Sequence, residues 1–88
     1  MESTHFIVVQ YQGYPEWPSP KRFDERVEKL LRKTSDGSGC GFGGRDFSFS
    51  FTSYEKAKAA AAKVRTYAKK EKESMYRKAT VKVYKYQD

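Results

Sequence analysis

Cysteine and histidine are nearly absent from this sequence, which has one of each, Cys40 and His5. A single cysteine excludes an internal disulfide and a zinc site with four thiolate ligands. No apolar run approaches the roughly 20 residues of a membrane span, and the first 18 residues contain no Lys or Arg, so no signal peptide is expected. We therefore expect a soluble, intracellular, cytoplasmic protein that needs no cofactor and does not contact a membrane.

Acidic residues are outnumbered, with 11 Asp and Glu against 18 Lys and Arg, which gives a net charge of +7. The excess is uneven, because residues 54–78 alone carry nine cations and three anions. A basic balance of this kind favours polyanionic partners such as nucleic acid or an acidic protein surface, but it carries no information about the fold. Eighty-eight residues are enough for one domain, so residues 1–88 are expected to share one core.

The first half of the chain predicts a strand, a helix and a glycine-rich strand. Residues 5–11 are β-branched and aromatic over the length of a strand. After a proline-rich loop at 13–20, Ser19 and Pro20 mark a helix start, and an apolar stripe of period 3.6 follows to about Thr34. Residues 37–44 have glycine at every second position, which predicts a short strand with one bare face, closed by a Gly-Gly turn.

The second half predicts a strand, a helix and a final strand. Phe47, Phe49 and Phe51 alternate with serines in 45–52, so one face of that strand should be buried. Thr52 and Glu55 form a capping box for a helix with an alanine-rich face. Residues 72–78 are interpreted as a charged exit, and 79–86 alternate again. The prediction is an α+β fold, a ferredoxin-like βαββαβ sandwich with two helices on one face of a four-stranded antiparallel sheet.

Chemistry-bearing motifs are scarce, and we do not expect an enzyme. The string Gly39-x-Gly41-x-x-Gly44 matches a dinucleotide fingerprint, but here it follows a helix and opens a strand, so its phosphate-binding helix terminus is missing. A bare edge strand that neighbouring aromatics cover, or that admits a partner's backbone, explains it better. Cys40 is interpreted as a small apolar filler or a semi-exposed thiol. The acids of the first helix are interpreted as solvated partners of its cations and not as metal ligands: Asp24, Glu25 and Glu28.

Residues 41–62, which run from Gly-Phe-Gly-Gly-Arg-Asp-Phe through Ser-Tyr-Glu-Lys-Ala, resemble the third strand and second helix of an RNA-recognition motif. His5-Phe-Ile-Val-Val resembles the first strand of that family. The resemblance implies RNA binding on the sheet, with Phe6 at the exposed aromatic position. With Phe51 aligned to the last aromatic of the third strand, the two base-stacking positions are Asp46 and Ser48, which have no aromatic ring.

Two stripes of cations follow the predicted helices and make up the first candidate site. Their spacing places them along continuous helix flanks, as expected for a track that contacts phosphates. The same pattern also describes the solvated face of an amphipathic helix. The candidate residues for nucleic acid or an acidic partner are Arg22, Arg26, Lys29, Lys33, Lys56, Lys63, Arg65 and Lys70.

Exposed aromatic residues make up the second candidate site. The last strand turns two tyrosines and a lysine away from its valines, onto a sheet face that no predicted helix covers. The proline-rich loop adds a tryptophan, which either closes one end of the core or binds a partner. The candidates for protein interaction, including a homodimer through the open sheet face, are Phe6, Trp17, Lys82, Tyr84 and Tyr86.

Two hypotheses therefore stand at the level of sequence. The first is a module that binds nucleic acid, RNA or another single strand, through its basic helix surfaces. The second is a protein-interaction module or inhibitor, of the kind encoded by phages, that docks its sheet face, edge strand or basic helices on a larger protein.

Overall fold

The computed structural model describes residues 2–12, 22–41, 44–71 and 74–86. Its strands form one antiparallel sheet in the order β2-β3-β1-β4, so β2 and β4 are the edges. In chain order the elements are β1 (His5–Gln12), α1 (Arg22–Leu31), β2 (Gly37–Gly41), β3 (Gly44–Phe51), α2 (Tyr54–Ala68), α3 (Ser74–Arg77) and β4 (Thr80–Lys85).

The predicted ferredoxin-like βαββαβ sandwich with two helices is wrong, because a third helix, α3, stands between α2 and β4. The interpretation of residues 72–78 as a charged exit overlooked Tyr76. Its ring is buried, stacked on Phe23 at 4.5 Å between centroids and set edge-on to Tyr11 at 5.2 Å. Burial of this aromatic side chain draws the segment against the core. The molecule is a small α+β domain whose elements run β-α-β-β-α-α-β.

Alternation along the strands decides which sheet face is covered. The side chains of Ile7, Val9, Phe47 and Phe49 are completely or almost completely buried beneath the helices, as the period of two predicts. From α2 the core receives mainly small side chains, which let the helix approach the sheet closely. They are Ala57, Ala60, Ala61, Val64 and Ala68.

Three local predictions need correction. The N-cap of α2 is Ser53 and not Thr52, since the Ser53 hydroxyl accepts a hydrogen bond from the Lys56 amide. Phe51 is only partly buried, and the ammonium of Lys33 lies 5.4 Å from its ring centroid. Gly44 is the first residue of β3, paired with Gln12, and does not belong to the turn. A Cβ at that position would lie 2.9 Å from the Tyr11 carbonyl oxygen, which explains the glycine.

Helix α1 ends earlier than the predicted Thr34 because the chain turns at Arg32, whose φ is +54°. The amide of Arg32 donates to the Lys29 carbonyl at 3.3 Å, and that of Lys33 donates to the Glu28 carbonyl at 3.0 Å. These two bonds make a Schellman motif, in which the left-handed residue is usually glycine. The Glu28 carboxylate reinforces the stop by accepting the Ser35 amide at 2.7 Å.

Replacing Arg32 by glycine is therefore expected to stabilise the protein by about 0.5–1 kcal/mol, because glycine removes the Cβ strain of the left-handed conformation. Urea unfolding of wild type and R32G measures the change. R32A is the matched control, since it removes the same charge and keeps the Cβ. Equal stability of the two variants would show that charge, and not backbone conformation, accounts for any gain.

Among the described residues, two ion pairs join α1 to other parts of the fold. Arg45 Nε donates to Asp24 Oδ2 at 2.8 Å, and only 10% and 7% of these side chains are exposed. The interpretation of Asp24 as a solvated partner is thus wrong. Its Oδ1 is buried without a hydrogen bond to any described residue, and burial raises the pKa of this carboxyl, although Arg45 acts to lower it.

The second pair centres on Glu71, a buried residue just after α2. Arg26 Nη1 donates to both carboxylate oxygens, at 2.8 and 2.7 Å, and the Tyr67 hydroxyl donates to Oε1 at 2.8 Å. The bond to Glu71 raises the pKa of the Arg26 guanidinium, whereas burial and then the bond to Glu71 raise the pKa of the Tyr67 hydroxyl. This network joins α1 to the C-terminal end of α2.

Candidate nucleic-acid interface

None of the described helices covers the second face of the sheet, and the two halves of that face differ in composition. In one cross-strand row Tyr84 faces Phe6, which faces Ser50, and in the next row Lys82 faces Val8. Towards the other edge, the same face presents Ser48, Asp46 and then the glycines of β2. Ring-bearing and aliphatic side chains therefore lie on β1 and β4, whereas the β3 and β2 half is polar or bare.

The aromatic half of this face is a cluster of three rings, Phe6, Tyr84 and Tyr86, called the aromatic cluster below. Phe6 is stacked with Tyr84 at 5.2 Å between centroids and an interplanar angle of 18°. Tyr86 lies at 4.7 Å from Phe6, and its hydroxyl is 2.7 Å from Ser50 Oγ, which orients the ring. About two-fifths of the surface of each tyrosine remains exposed, 43% for Tyr84 and 42% for Tyr86.

A basic groove lies beside the free edge of β4, between that strand and the C-terminal end of α2. The groove is open to solvent and has a volume of about 390 Å³. Of the residues that line it and that the structure describes, none is acidic, and three uncharged ones, Ala79, Thr80 and Val81, form its wall on the side of β4. The cations of the basic groove are Arg65, Lys69, Arg77 and Lys82.

Both arginines of the basic groove are held by backbone carbonyls. Arg65 Nη2 donates to the Val81 carbonyl at 2.5 Å, and Arg77 Nη1 donates to the Glu71 carbonyl at 3.0 Å. A guanidinium that is already oriented loses less side-chain entropy when it binds an anion. The network that holds Glu71 therefore also helps to position Arg77.

Lys82 connects the basic groove with the open sheet face. It lines the groove, and its register opposite Val8 places it on the same face as the aromatic cluster, one row from Tyr84. Aromatic rings and cations thus meet across the edge of a single strand. This combination is the one that proteins use to hold single-stranded nucleic acid, with rings against bases and cations against phosphates.

The cations predicted along α1 whose side chains the structure describes do not line the basic groove. Arg26 is balanced by Glu71, Lys33 lies over Phe51, and Lys29 is exposed without lining the groove. The side chain of Arg22 and all of the 13–20 loop, including Trp17, lie outside the described residues, as does the side chain of Cys40.

The residues predicted along α2 separate into two groups. Lys56, Lys63 and Lys70 are exposed and do not line the basic groove, whereas Arg65 does. Sequence reasoning did not select Lys69 or Arg77 as site residues. The four-residue spacing between Arg65 and Lys69 places them on the same helix flank and could have indicated Lys69. No pattern in the sequence predicts α3, which brings Arg77 to the basic groove.

Comparisons with protein families, with curated proteins and with solved structures find no match for this chain. None of the helices in the described ranges is long and apolar enough to cross a membrane. Within the same ranges, no three His, Cys, Asp or Glu side chains stand close enough together to hold a metal ion. The geometry of the open face and the basic groove is therefore the basis for the function proposed below.

Proposed function

We propose that this protein is a non-enzymatic module that binds single-stranded nucleic acid, RNA or DNA, across the edge of β4. Bases lie on the aromatic cluster, and the phosphates that follow enter the basic groove. The observation that carries the proposal is the position of Lys82, which belongs both to the groove and to the face that bears Phe6 and Tyr84.

The aromatic cluster supports the base-binding half of this proposal. Stacking on an aromatic side chain contributes about 1–3 kcal/mol per base and tolerates any sequence, because every base has a π-face. The exposed ring of Tyr84 is already aligned with Phe6, and that of Tyr86 is oriented by Ser50. The rings lie on β1, on β4 and on the residue just after β4, so this mode of binding does not require aromatic side chains at positions 46 and 48.

The basic groove supports the phosphate-binding half. Four cations line a single cavity with no described acid among them, within a chain whose net charge is +7. Such a surface attracts polyanions and holds them with an affinity that falls as salt displaces the released counterions. Single strands fit this surface better than duplexes, since in a duplex the bases are not available for stacking on the sheet.

A charge-reversal experiment tests the proposal. K69E/K82E changes two groove residues, whereas K63E/K85E changes one lysine of α2 and one of β4 that do not line the groove. Each Lys→Glu replacement removes two charges, so both variants go from +7 to +3. Affinity for a labelled 12-nucleotide single strand is measured by fluorescence anisotropy from 50 to 300 mM salt.

K69E/K82E is expected to reduce the steepness of log K against log salt by about 1.4, since each phosphate contact on a single strand contributes about 0.7. Affinity at 50 mM salt should fall by at least about tenfold. K63E/K85E should keep the wild-type slope within error, with a uniform, smaller loss from its lower net charge. Equal slopes for the two variants, or no binding by wild type at 50 mM salt, would rule out the groove as the phosphate-binding site.

The alternative function is a protein-interaction module that uses the same open face, including a homodimer. The exposed rings of Tyr84 and Tyr86 favour it, because apolar surface of this kind also marks protein interfaces. Sedimentation of the protein with and without the oligonucleotide distinguishes the two functions. A dimer that dissociates when Tyr84 is replaced, combined with no oligonucleotide binding, would favour the alternative.

A further inference from the structure

Beside the aromatic cluster, two side-chain hydroxyls form a hydrogen-bonded pair on the open sheet face, called the hydroxyl pair below. The Tyr86 hydroxyl lies 2.7 Å from Ser50 Oγ, at an exposed position. Ser50 belongs to β3 and is paired with Phe6 of β1, whereas Tyr86 follows β4. The side chain of Tyr86 therefore reaches across β1, and the hydroxyl pair lies on the side of Phe6 that is away from the basic groove.

The hydroxyl pair keeps hydrogen-bonding capacity that the protein itself does not use. Each hydroxyl has one hydrogen to donate and can also accept, and the bond between Ser50 and Tyr86 consumes only one of the two hydrogens. The second hydrogen and the remaining lone pairs face solvent. A ligand hydroxyl, which both donates and accepts, matches this set of groups.

This part of the sheet face suits a neutral group better than a phosphate. Of the side chains that the described strands β1 and β3 place on the open face, none is a cation, and one, Asp46, is an anion. The cation of the open face, Lys82, lies on β4. Because the phosphates of a strand are drawn to Lys82 and the basic groove, a base that lies on Phe6 presents its sugar, and not a phosphate, to the β3 side.

We infer that the hydroxyl pair of Ser50 and Tyr86 is a subsite for the ribose 2′-hydroxyl, so that the protein prefers RNA to DNA. The inference rests on the proposed function and narrows it, since that function alone admits either kind of strand. A 2′-hydroxyl is both a donor and an acceptor, and it is the group by which a protein distinguishes RNA from DNA at a given site. It accepts the free hydrogen of the pair and donates to one of its two oxygens.

The test compares three single strands of 12 nucleotides by anisotropy at 100 mM salt: RNA, DNA and 2′-O-methyl RNA. All three have one sequence of adenine and cytosine, so that no base differs between them. RNA is expected to bind about fivefold more tightly than DNA, the factor that one net hydrogen bond contributes. The 2′-O-methyl strand keeps the ribose oxygen but cannot donate, so it should bind about as weakly as DNA.

Variants of the hydroxyl pair provide the second readout. S50A and Y86F each remove one hydroxyl and keep every ring of the aromatic cluster. In both, the ratio of RNA affinity to DNA affinity should fall below about two, while DNA affinity stays within about twofold of wild type. S50T restores a hydroxyl and should keep the ratio. The matched control is S48A, on the same strand and the same face but paired with Val8, which should leave the ratio unchanged.

Each outcome decides a separate point. Equal affinity for RNA and DNA would overturn the inference and leave the proposed function standing, whereas no binding of any strand would overturn the proposed function. A 2′-O-methyl strand that binds as tightly as RNA would show that the 2′-hydroxyl hydrogen is not recognised, which overturns the inference. A preference for RNA that persists in both S50A and Y86F would place the contact to the 2′-hydroxyl elsewhere and would also overturn it.

Discussion

Replacing Asp24 by alanine is expected to lower the free energy of unfolding by about 3–5 kcal/mol, because it leaves the Arg45 guanidinium buried without its carboxylate. Small domains are stabilised by only about 5–15 kcal/mol in total, so this one change removes a large part of it. Urea unfolding followed by circular dichroism gives the value, and a partly unfolded D24A at 25 °C agrees with the expectation.

The replacement of its partner, R45M, is expected to lower the free energy of unfolding by less than D24A does. The Asp24 carboxyl that remains in R45M can take up a proton and become neutral, whereas a guanidinium cannot lose its charge. Removing Arg45 removes the hydrogen bond and the positive charge that do most to lower the pKa of Asp24, so this pKa in the folded state rises further above the unfolded value. A raised carboxyl pKa destabilises the fold at neutral pH, and the penalty disappears as the pH falls below the unfolded pKa of about 3.9.

The difference in free energy of unfolding between R45M and wild type should therefore become smaller from about pH 7 to about pH 4. The corresponding difference for D24A should stay large. The double variant D24L/R45M replaces the pair by apolar side chains and should lie within about 1 kcal/mol of wild type, as buried ion pairs often do when both partners are replaced. A double variant as unstable as D24A would mean that packing around α1, and not the loss of the Asp24 carboxylate from Arg45, dominates the effect.

Replacing Tyr84 by alanine is the second large expected effect, this time on binding. Loss of one base-stacking ring should weaken the affinity for a single strand by about 1–3 kcal/mol, which corresponds to roughly 5–150-fold in Kd. The free energy of unfolding should change little, because 43% of Tyr84 is exposed and no hydrogen bond of its hydroxyl is part of the described network. Anisotropy titrations at a fixed salt concentration measure the loss.

Two control variants separate stacking from a general loss of aromatic surface. Y84F keeps the ring and should retain the wild-type affinity. Y54A removes an even more exposed tyrosine, one that lies on α2 against His5 and away from the aromatic cluster, and it should have no effect on Kd. If Y54A weakens binding as much as Y84A does, the open sheet face is not where the bases lie.

Periodicity is what made the strands and the long helices predictable from the sequence. Alternation in β3 identified Phe47 and Phe49 as buried, and the stripe on α1 identified Phe23 and Val27. Helix α3 was missed because four residues are too short to show a helical period, and only the burial of Tyr76 marks it. The end of α1 was missed because its stop is made by a strained Arg32 and not by a glycine.

The candidate site was less predictable, because it depends on contacts between distant segments. Phe6, Lys82, Tyr84 and Tyr86 could be placed on the open face by counting residues along β1 and β4. The basic groove could not, since Arg65 and Arg77 belong to different helices that meet only in the folded chain.

Arg45 lies two and four residues before Phe47 and Phe49, so it points to the same, buried face of β3. A cation on that face needs a buried acid as its partner. The sequence shows this spacing, but the prediction of one buried face on the strand did not extend to Arg45. Which acid would meet it was not visible, because Asp24 lies 21 residues earlier on a helix rich in charges of both signs.

The central claim, that a single strand crosses the β4 edge from the aromatic cluster into the basic groove, is tested most directly by amide chemical shifts. Uniformly ¹⁵N-labelled protein is titrated with a 12-nucleotide single strand at low salt. We expect the largest shifts in β4, at Phe6 and Val8, and from Arg65 to Lys69, with small ones in α1. Shifts confined to α1 and the Lys56 and Lys63 flank of α2, or no shifts at all, would contradict the account.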